Sequence, residues 1–133
     1  MLMSKVLQKN TSQVKGTKLS RKELKFRVVF EVKLDNGFEL KDMTPKHVQD
    51  FHRFLSDTVY KGLTISQVDE LFLRKEGLSD APPVKSHGEE LVHYGKAANP
   101  FRIFGYYNSN GYFVICRIDG AHKTNKLSQR LVF

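Results

Sequence analysis

Arginine and histidine side chains are concentrated around the last two apolar runs of the sequence. Arg102 lies at the start of the first run, Arg117 lies near the end of the second, and His122 follows in the polar segment Gly-Ala-His-Lys at 120–123. Arginine can bind a phosphate or carboxylate through two parallel hydrogen bonds, and histidine can gain or lose a proton near neutral pH. These residue types therefore predict acid–base chemistry or an anionic ligand at the end of the two runs.

Other common catalytic patterns are missing from the sequence. The single cysteine, Cys116, excludes a zinc site built from several cysteines, and the five histidines are not at metal-ligand spacing. There is neither a glycine-rich phosphate loop nor a paired-carboxylate signature. We therefore predict no metal and no cofactor, and we expect Cys116 to be a small buried residue in a strand.

The net charge of +8 is carried by the two ends of the chain. Residues 1–27 contain eight lysines or arginines and one acidic residue. Residues 117–133 contain four lysines or arginines and one acidic residue. Residues 28–116, in contrast, contain ten basic and twelve acidic residues. Basic ends favour nucleic acid or an acidic protein as partner, although a solvated lysine-rich tail would give the same composition.

The length of 133 residues indicates one domain with a hydrophobic core. No apolar run approaches the roughly eighteen residues of a membrane span, and the first residues lack the apolar stretch of a secretory signal. We therefore expect a cytoplasmic protein of bacterial type. Residues 1–24 are expected to form a basic N-terminal extension, in part disordered, and residues 25–133 a single domain.

The first half of this domain is predicted to be a strand followed by two helices. Residues 25–34 alternate between apolar and polar, and a turn signal at 35–37 precedes a short returning strand at 38–41. Helices are predicted at 45–61 and 64–75, because a threonine cap opens each of them. The apolar side of the first helix carries Val48, Phe51, Leu55 and Val59.

The second half is predicted to contain a loop at 76–88 and then three strands, at 90–94, 101–107 and 112–118. The last two strands are apolar on both faces, so we expect them at the centre of a sheet. Separate runs of helix and strand indicate an α+β fold, with two helices packed on one face of a mostly antiparallel sheet.

Alternation along the last two strands predicts which residues share a face of the sheet. One face is expected to carry Phe101, Ile103, Gly105, Tyr107, Tyr112, Val114, Cys116 and Ile118. The opposite, open face is expected to carry Arg102, Phe104, Tyr106, Phe113, Ile115, Arg117 and Asp119. If a two-residue loop connects the two strands, Arg102 pairs with Asp119, and if a four-residue loop connects them, Arg102 pairs with Arg117.

One segment of the chain resembles a known family. Residues 93–126 read HYGKAANPFRIFGYYNSNGYFVICRIDGAHKTNK, and they resemble the C-terminal half of the RelE/ParE/HigB-type toxins of bacterial toxin–antitoxin systems. In that half, Arg-Ile begins a central strand, a second apolar strand follows, and Gly-x-His or Gly-x-Arg comes next. Residues 120–123 are most similar to the YafQ branch. The predicted element order also matches this RelE-like family.

The resemblance implies a metal-independent endoribonuclease that cleaves mRNA on the ribosome, inhibits translation and is blocked by a cognate acidic antitoxin. In such a reaction a 2′-hydroxyl attacks the adjacent phosphorus, while a base, an acid and cations assist. The resemblance implies that Arg102 and Arg117 clamp the phosphate, that His122 is the general acid and that His93 supplies the base. Contacts with RNA are expected from Tyr94, Lys96, Lys123 and Lys126.

Other interpretations fit the same residues. A ParE-like topoisomerase inhibitor needs no histidine at position 122, and a binding module of a phage or mobile element would use only the basic ends. Arg102 could instead have a structural role, in an ion pair with Asp119 across the hairpin. Arg117 could likewise be structural, with the aliphatic part of its side chain covering a helix. The remaining histidines are expected to be structural: His52 at the edge of the core, and His47 and His87 at the surface.

Overall fold

Three helices, a five-stranded sheet and a two-stranded ribbon are present in the part of the chain that the structure describes. The structure is a computed structural model, and it describes residues 18–74, 84–121 and 123–124. The helices are α1 (Lys18–Glu23), α2 (Pro45–Asp57) and α3 (Ile65–Phe72). Short 3-10 turns lie at Leu40–Asp42 and Val59–Lys61. The strands are β1 (Val28–Val29), β2 (Leu73–Arg74), β3 (Lys85–Ser86), β4 (Glu89–Glu90), β5 (Val92–Tyr94), β6 (Arg102–Tyr107) and β7 (Phe113–Asp119).

The sheet has the order β1-β7-β6-β5-β2, so the β6–β7 hairpin lies at its centre. β1 is parallel to β7, and the other neighbouring strands are antiparallel. Strands β3 and β4 form a separate two-stranded ribbon. Phe54 of α2 and Val68 of α3 share one buried core with Ile103 of β6 and Ile115 of β7. The predicted α+β fold, with a mostly antiparallel sheet and a central hairpin, is confirmed.

Both predicted helix starts are confirmed, because each is fixed by a local capping box. The Thr44 Oγ1 accepts a hydrogen bond from the His47 backbone N at 3.2 Å, and Thr64 Oγ1 accepts one from Gln67 N at the same distance. Each capping threonine also donates its backbone N–H to the side chain three residues later. Helix α3 ends at Phe72, earlier than the predicted end at residue 75, because the next two residues form β2 and pair with β5.

The buried side of α2 differs from the prediction. Phe54 is 5% exposed, whereas Val48, which was expected in the core, is 52% exposed. The Phe54 ring packs edge-on against Phe26 and Phe72, at centroid distances of 6.0 and 5.7 Å. These aromatic contacts set the rotation of the helix, and they leave His52 exposed rather than at the edge of the core.

The predicted strand at 25–34 is reduced to the two residues of β1. Beyond β1 the chain follows the edge of β7 at only a few points, where Asp35 N donates to Cys116 O and Ile118 N donates to Phe38 O. The predicted turn at 35–37 is present, closed by the Phe38 N–Asp35 O hydrogen bond of 3.0 Å. The expected returning strand at 38–41 is wrong, since the Phe38 carbonyl is bonded to β7 and a 3-10 turn follows.

A β-bulge in the central hairpin changes which residues face the helices. Phe104 pairs with Arg117, but Gly105 pairs with Ile115, so Cys116 is an extra residue on β7. Ile115 therefore joins the core beside the helices, as does Phe113, although both were predicted on the opposite face. Arg102 pairs with Asp119 as the two-residue loop predicts, but five residues, 108–112, connect the strands.

The face of the sheet opposite the helices is covered rather than open. Asp35 accepts a hydrogen bond from Ser86 Oγ of the β3–β4 ribbon at 2.6 Å and forms an ion pair with Arg117. The Arg117 guanidinium also lies over the Phe38 ring, 4.7 Å from its centroid. Both predicted arginines are thus on a surface that other parts of the chain close. Within residues 18–74, 84–121 and 123–124, no helix has the length and apolar character needed to cross a membrane.

The end of the predicted N-terminal extension is attached to the core. Arg21 of α1 binds Asp69 Oδ2 through Nε at 3.1 Å and Nη2 at 2.6 Å, and its guanidinium lies 4.6 Å from the centroid of the Tyr107 ring. Tyr94 donates its hydroxyl to the same Asp69 and shares a hydrogen bond of 2.6 Å with Tyr107. Burial raises the pKa of both tyrosines, which keeps them neutral. Residues 1–17 lie outside the described residues.

We expect Arg21→Ala to lower the free energy of unfolding by about 1.5–3 kcal/mol, because the half-buried Asp69 carboxylate loses its charged partner. Chemical denaturation of both proteins measures the difference. Lys22→Ala, at an exposed position of the same helix, is the matched control. Equal losses in the two variants would show that the Arg21–Asp69 pair does not attach α1 to the core.

Candidate functional site

Arg102 is a structural residue in this fold. The side chain is 2% exposed, and its Nη1 donates to the backbone carbonyls of Lys96, Asn99 and Phe101. Gly95 makes room for it, since a Cβ there would overlap the arginine side chain. The guanidinium therefore organises the loop between β5 and β6, and its predicted role as an open phosphate clamp is not supported by this geometry.

Arg117 has a similar supporting role. Its Nε binds Asp35, and its Nη1 donates to Thr124 Oγ1 at 3.3 Å, so it links the 35–38 turn to the segment after β7. Asp35 was not among the partners expected from the sequence. Because the guanidinium lies between a carboxylate, a hydroxyl and the Phe38 ring, this arginine stabilises the end of the sheet.

The other predicted residues are dispersed. Tyr94 is 0% exposed, so it packs in the core and does not present its ring to RNA. His93 is half-buried, and its ring stacks on Phe104 with a centroid distance of 4.6 Å. Lys96 is exposed and forms an ion pair with Asp57 at 3.1 Å. The predicted His122 and Lys126 lie outside the described residues.

Asp119 builds the turn that follows β7. Its buried carboxylate accepts hydrogen bonds from the backbone N–H groups of Ala121 at 3.2 Å, Lys123 at 2.9 Å and Thr124 at 2.6 Å. A carboxylate that accepts several backbone N–H bonds fixes a turn much as it caps a helix. The Asp119 carboxylate therefore fixes the positions of Ala121, Lys123 and Thr124 relative to the end of β7.

A cleft lies between this turn and the segment that leads into α2. Its polar side chains come from Asp42, His47, Asp119 and Lys123, and Gly120 and Ala121 form one wall. We call it the His47 cleft. Ala121 and Lys123, the sequence neighbours of the undescribed residue 122, both line it. The imidazole of His47 and the ammonium group of Lys123 can bind an anion, and the imidazole can also transfer a proton.

Sequence reasoning missed His47, which was expected to be an ordinary surface residue. The structure places its half-buried ring against Gly120, where a Cβ would overlap the ring carbon and nitrogen atoms. The capping pattern around Thr44 predicts the position of His47 on its helix, but the contact with Gly120 is made only in the folded chain. Glycine is thus required at position 120, because the imidazole of His47 occupies the space that a larger side chain would need.

A second cleft of similar size lies further along α2, beside the Arg102 loop. It is lined by Asp50, Arg53, Lys96 and Asn99. Burial alone would raise the pKa of Asp50, but hydrogen bonds from Lys46 at 3.0 Å and Asn99 at 3.2 Å outweigh it and hold that pKa below its usual value. The Asp50 carboxylate is therefore an ionised structural group that connects α2 to the loop.

No protein-family model, curated protein or solved structure matches the chain. Among the described residues, no three His, Cys, Asp or Glu side chains are grouped as a metal ion would require. The assignment of the His47 cleft therefore rests on the chemistry and geometry of its own residues.

We expect Gly120→Ala to destabilise the fold by about 1–3 kcal/mol, because the added methyl group overlaps the His47 ring. In a His47→Ala background, where the ring is absent, the same substitution should cost much less. Thermal or chemical denaturation of the four proteins of this cycle measures the coupling. An equal cost in both backgrounds would contradict the contact between the imidazole and Gly120.

Asp50 should contribute to acid sensitivity. Because its folded-state pKa is depressed, the stabilisation it provides is present above the unfolded-state pKa near 3.8 and is lost as the pH falls through the folded-state value. Asp50→Asn should therefore flatten the acid limb of the plot of unfolding free energy against pH. Superimposable acid limbs for the two proteins would show that the Lys46 and Asn99 bonds do not lower this pKa.

Proposed function

We propose that the protein is the toxin of a bacterial toxin–antitoxin pair, and that it cleaves mRNA in the cytoplasm as a metal-independent endoribonuclease. The observation that carries the proposal is the His47 cleft. It lies at the turn after β7, and its walls include Gly120, Ala121 and Lys123 from the segment that resembles these toxins.

The order of the elements supports this proposal. β1, α2, α3 and the three strands β5, β6 and β7 follow one another as the resemblance implies. The resembling segment, residues 93–126, begins in β5 and contains the whole central hairpin. Helix α1, strand β2 and the β3–β4 ribbon are additions to that pattern. A ribonuclease site at the end of β7 would therefore be built on a strand that has a neighbour on both sides.

The chemistry requires no group beyond those of RNA and protein side chains. The 2′-oxygen forms a bond to phosphorus as its proton passes to a base, and the bond from phosphorus to the 5′-oxygen breaks as an acid protonates that oxygen. The products are a 2′,3′-cyclic phosphate and a 5′-hydroxyl. In the proposal, His122 is the acid, Lys123 neutralises phosphate charge, and Arg102 and Arg117 support the turn and loop from inside the protein.

The identity of the base is a separate part of the proposal. His93 was predicted for this role, and its ring is stacked on Phe104 in the sheet. A half-buried imidazole in such a stack has little freedom to reach a substrate. The role of His93 as base therefore stays a prediction, and a His93→Gln variant in the cleavage assay below addresses it.

The partner we propose is an acidic antitoxin. The cations that would bind RNA phosphates, such as exposed Lys123, would equally bind the carboxylates of an acidic peptide. Such a peptide would compete with RNA for the His47 cleft, which explains in physical terms how one small protein inhibits the other.

One observation favours a second candidate. Arg102 is buried, Arg117 is half-buried, and both bind other parts of the protein, so the positive charge expected at a ribonuclease site is smaller than the sequence suggests. A ParE-like topoisomerase inhibitor acts by binding another protein and does not need that charge. A non-enzymatic binding module of a mobile element would likewise cleave no RNA.

We expect expression of the chain to arrest growth and to yield RNA fragments with cyclic phosphate ends. His122→Gln should lower cleavage by about 10²–10⁴-fold, the usual contribution of a positioned acid or base, and should leave the melting temperature unchanged. His52→Gln, on the exposed side of α2, is the matched control and should cleave normally. Growth arrest without any RNA cleavage would favour the topoisomerase inhibitor, and normal growth would favour the binding module.

A further inference from the structure

We propose that His47 is a further residue of this RNA-cleaving site, and that its Nε2–H donates a hydrogen bond to a non-bridging oxygen of the scissile phosphate. The inference rests on the proposed function, and it assigns a role to a residue that neither the sequence patterns nor the family resemblance single out. Its evidence comes from residues that the structure describes.

The ring of His47 is held in a single orientation from two sides. Its Nδ1 accepts the backbone N–H of Thr44 at 3.4 Å, and one flank of the ring packs against Gly120. Because Nδ1 is the acceptor in this bond, the proton of the neutral imidazole is on Nε2. The nitrogen that remains for a ligand in the cleft is therefore a hydrogen-bond donor.

Two carboxylates and one ammonium group surround the ring, and hydrogen bonds already engage both carboxylates. Asp42 Oδ2 accepts the backbone N–H of Glu39 at 3.0 Å, and Asp119 accepts the three backbone N–H groups of the turn. Both carboxylates of the cleft thus have backbone donors as partners. The side-chain donors that remain for a ligand are the Nε2–H of His47 and the ammonium group of exposed Lys123, and both of them bind anions.

Capping alone does not explain a histidine at position 47. The same capping box opens α3, where Gln67 accepts the Thr64 backbone N–H at 2.8 Å in place of an imidazole. A glutamine would therefore suffice for α2, without the need for a glycine at position 120 to make room for a ring. The imidazole is expected to serve something other than the helix, and the cleft it lines is the available place.

The test compares two side chains of equal length. In His47→Gln, Oε1 can cap Thr44 as Gln67 caps Thr64, and Nε2 can still donate into the cleft. In His47→Glu the cap is kept but the donor is lost. We expect the glutamine variant to cleave a short single-stranded RNA within about tenfold of the wild type, and the glutamate variant to lose about 10²-fold or more.

Matched controls separate the lost donor from other effects. His47→Leu, which is neutral and has no donor, should lose as much activity as the glutamate variant if the hydrogen bond matters more than charge repulsion. Gln67→Glu and Gln67→Leu make the same changes at the other capping box and should leave cleavage unchanged. Melting temperatures of all variants detect any loss that follows from unfolding.

A second measurement distinguishes failure of this inference from failure of the proposed function. The same RNA with 2′-deoxy sugars cannot be cleaved, and its affinity is measured for each variant. Wild-type cleavage by His47→Glu and His47→Leu would overturn the role of His47 and leave the ribonuclease proposal standing. A second outcome is that the wild type does not cleave RNA, while affinity for the deoxy strand is lost in His47→Leu and kept in His47→Gln. This outcome would overturn the ribonuclease proposal and support the contact between His47 and phosphate. Absence of both cleavage and binding would overturn both.

Discussion

The buried carboxylate of Asp119 is the group on which the end of the sheet depends. It lies at the last position of β7, 1% exposed, and it satisfies three backbone N–H groups of the following turn. A buried donor or acceptor that lacks a partner costs about 1–3 kcal/mol, so the turn and the carboxylate are stable only together. Gly120 is held against His47 because Asp119 fixes this turn, and the cleft exists because Gly120 is held there.

The two arginines of the hairpin show how the same residue type serves structure where function was expected. Arginine offers five donors in a rigid fork, which suits phosphate but equally suits the carbonyls of a loop. Arg102 binds the 96–101 loop and Arg117 binds Asp35, so each joins a strand to a neighbouring connection of the chain. The charge available to a ligand comes instead from side chains at the rim of the cleft.

Local signals made part of this structure predictable from the sequence. The starts of both helices depend on a threonine and the three residues after it, and the central hairpin depends on its own apolar composition. The rotation of α2 depends on aromatic rings from other elements, and the bulge at Cys116 depends on the pairing of β7 with β6. The candidate site was predicted least well, because the contact between His47 and Gly120 joins residues that are distant in sequence.

The parallel pairing of β1 with β7 has a consequence for how the protein reaches its folded state. Val28 and Val29 pair with Phe113 and Val114, and nearly all the other elements lie between them in the chain. Contacts between residues so far apart close a long loop, and folding that depends on them is slow. On the ribosome, α2 and α3 are synthesised well before the strands that cover their apolar sides. The sheet, and with it the cleft at its end, therefore forms only after β7 has been synthesised, and until then Phe26 and Phe54 are exposed to chaperones and to aggregation.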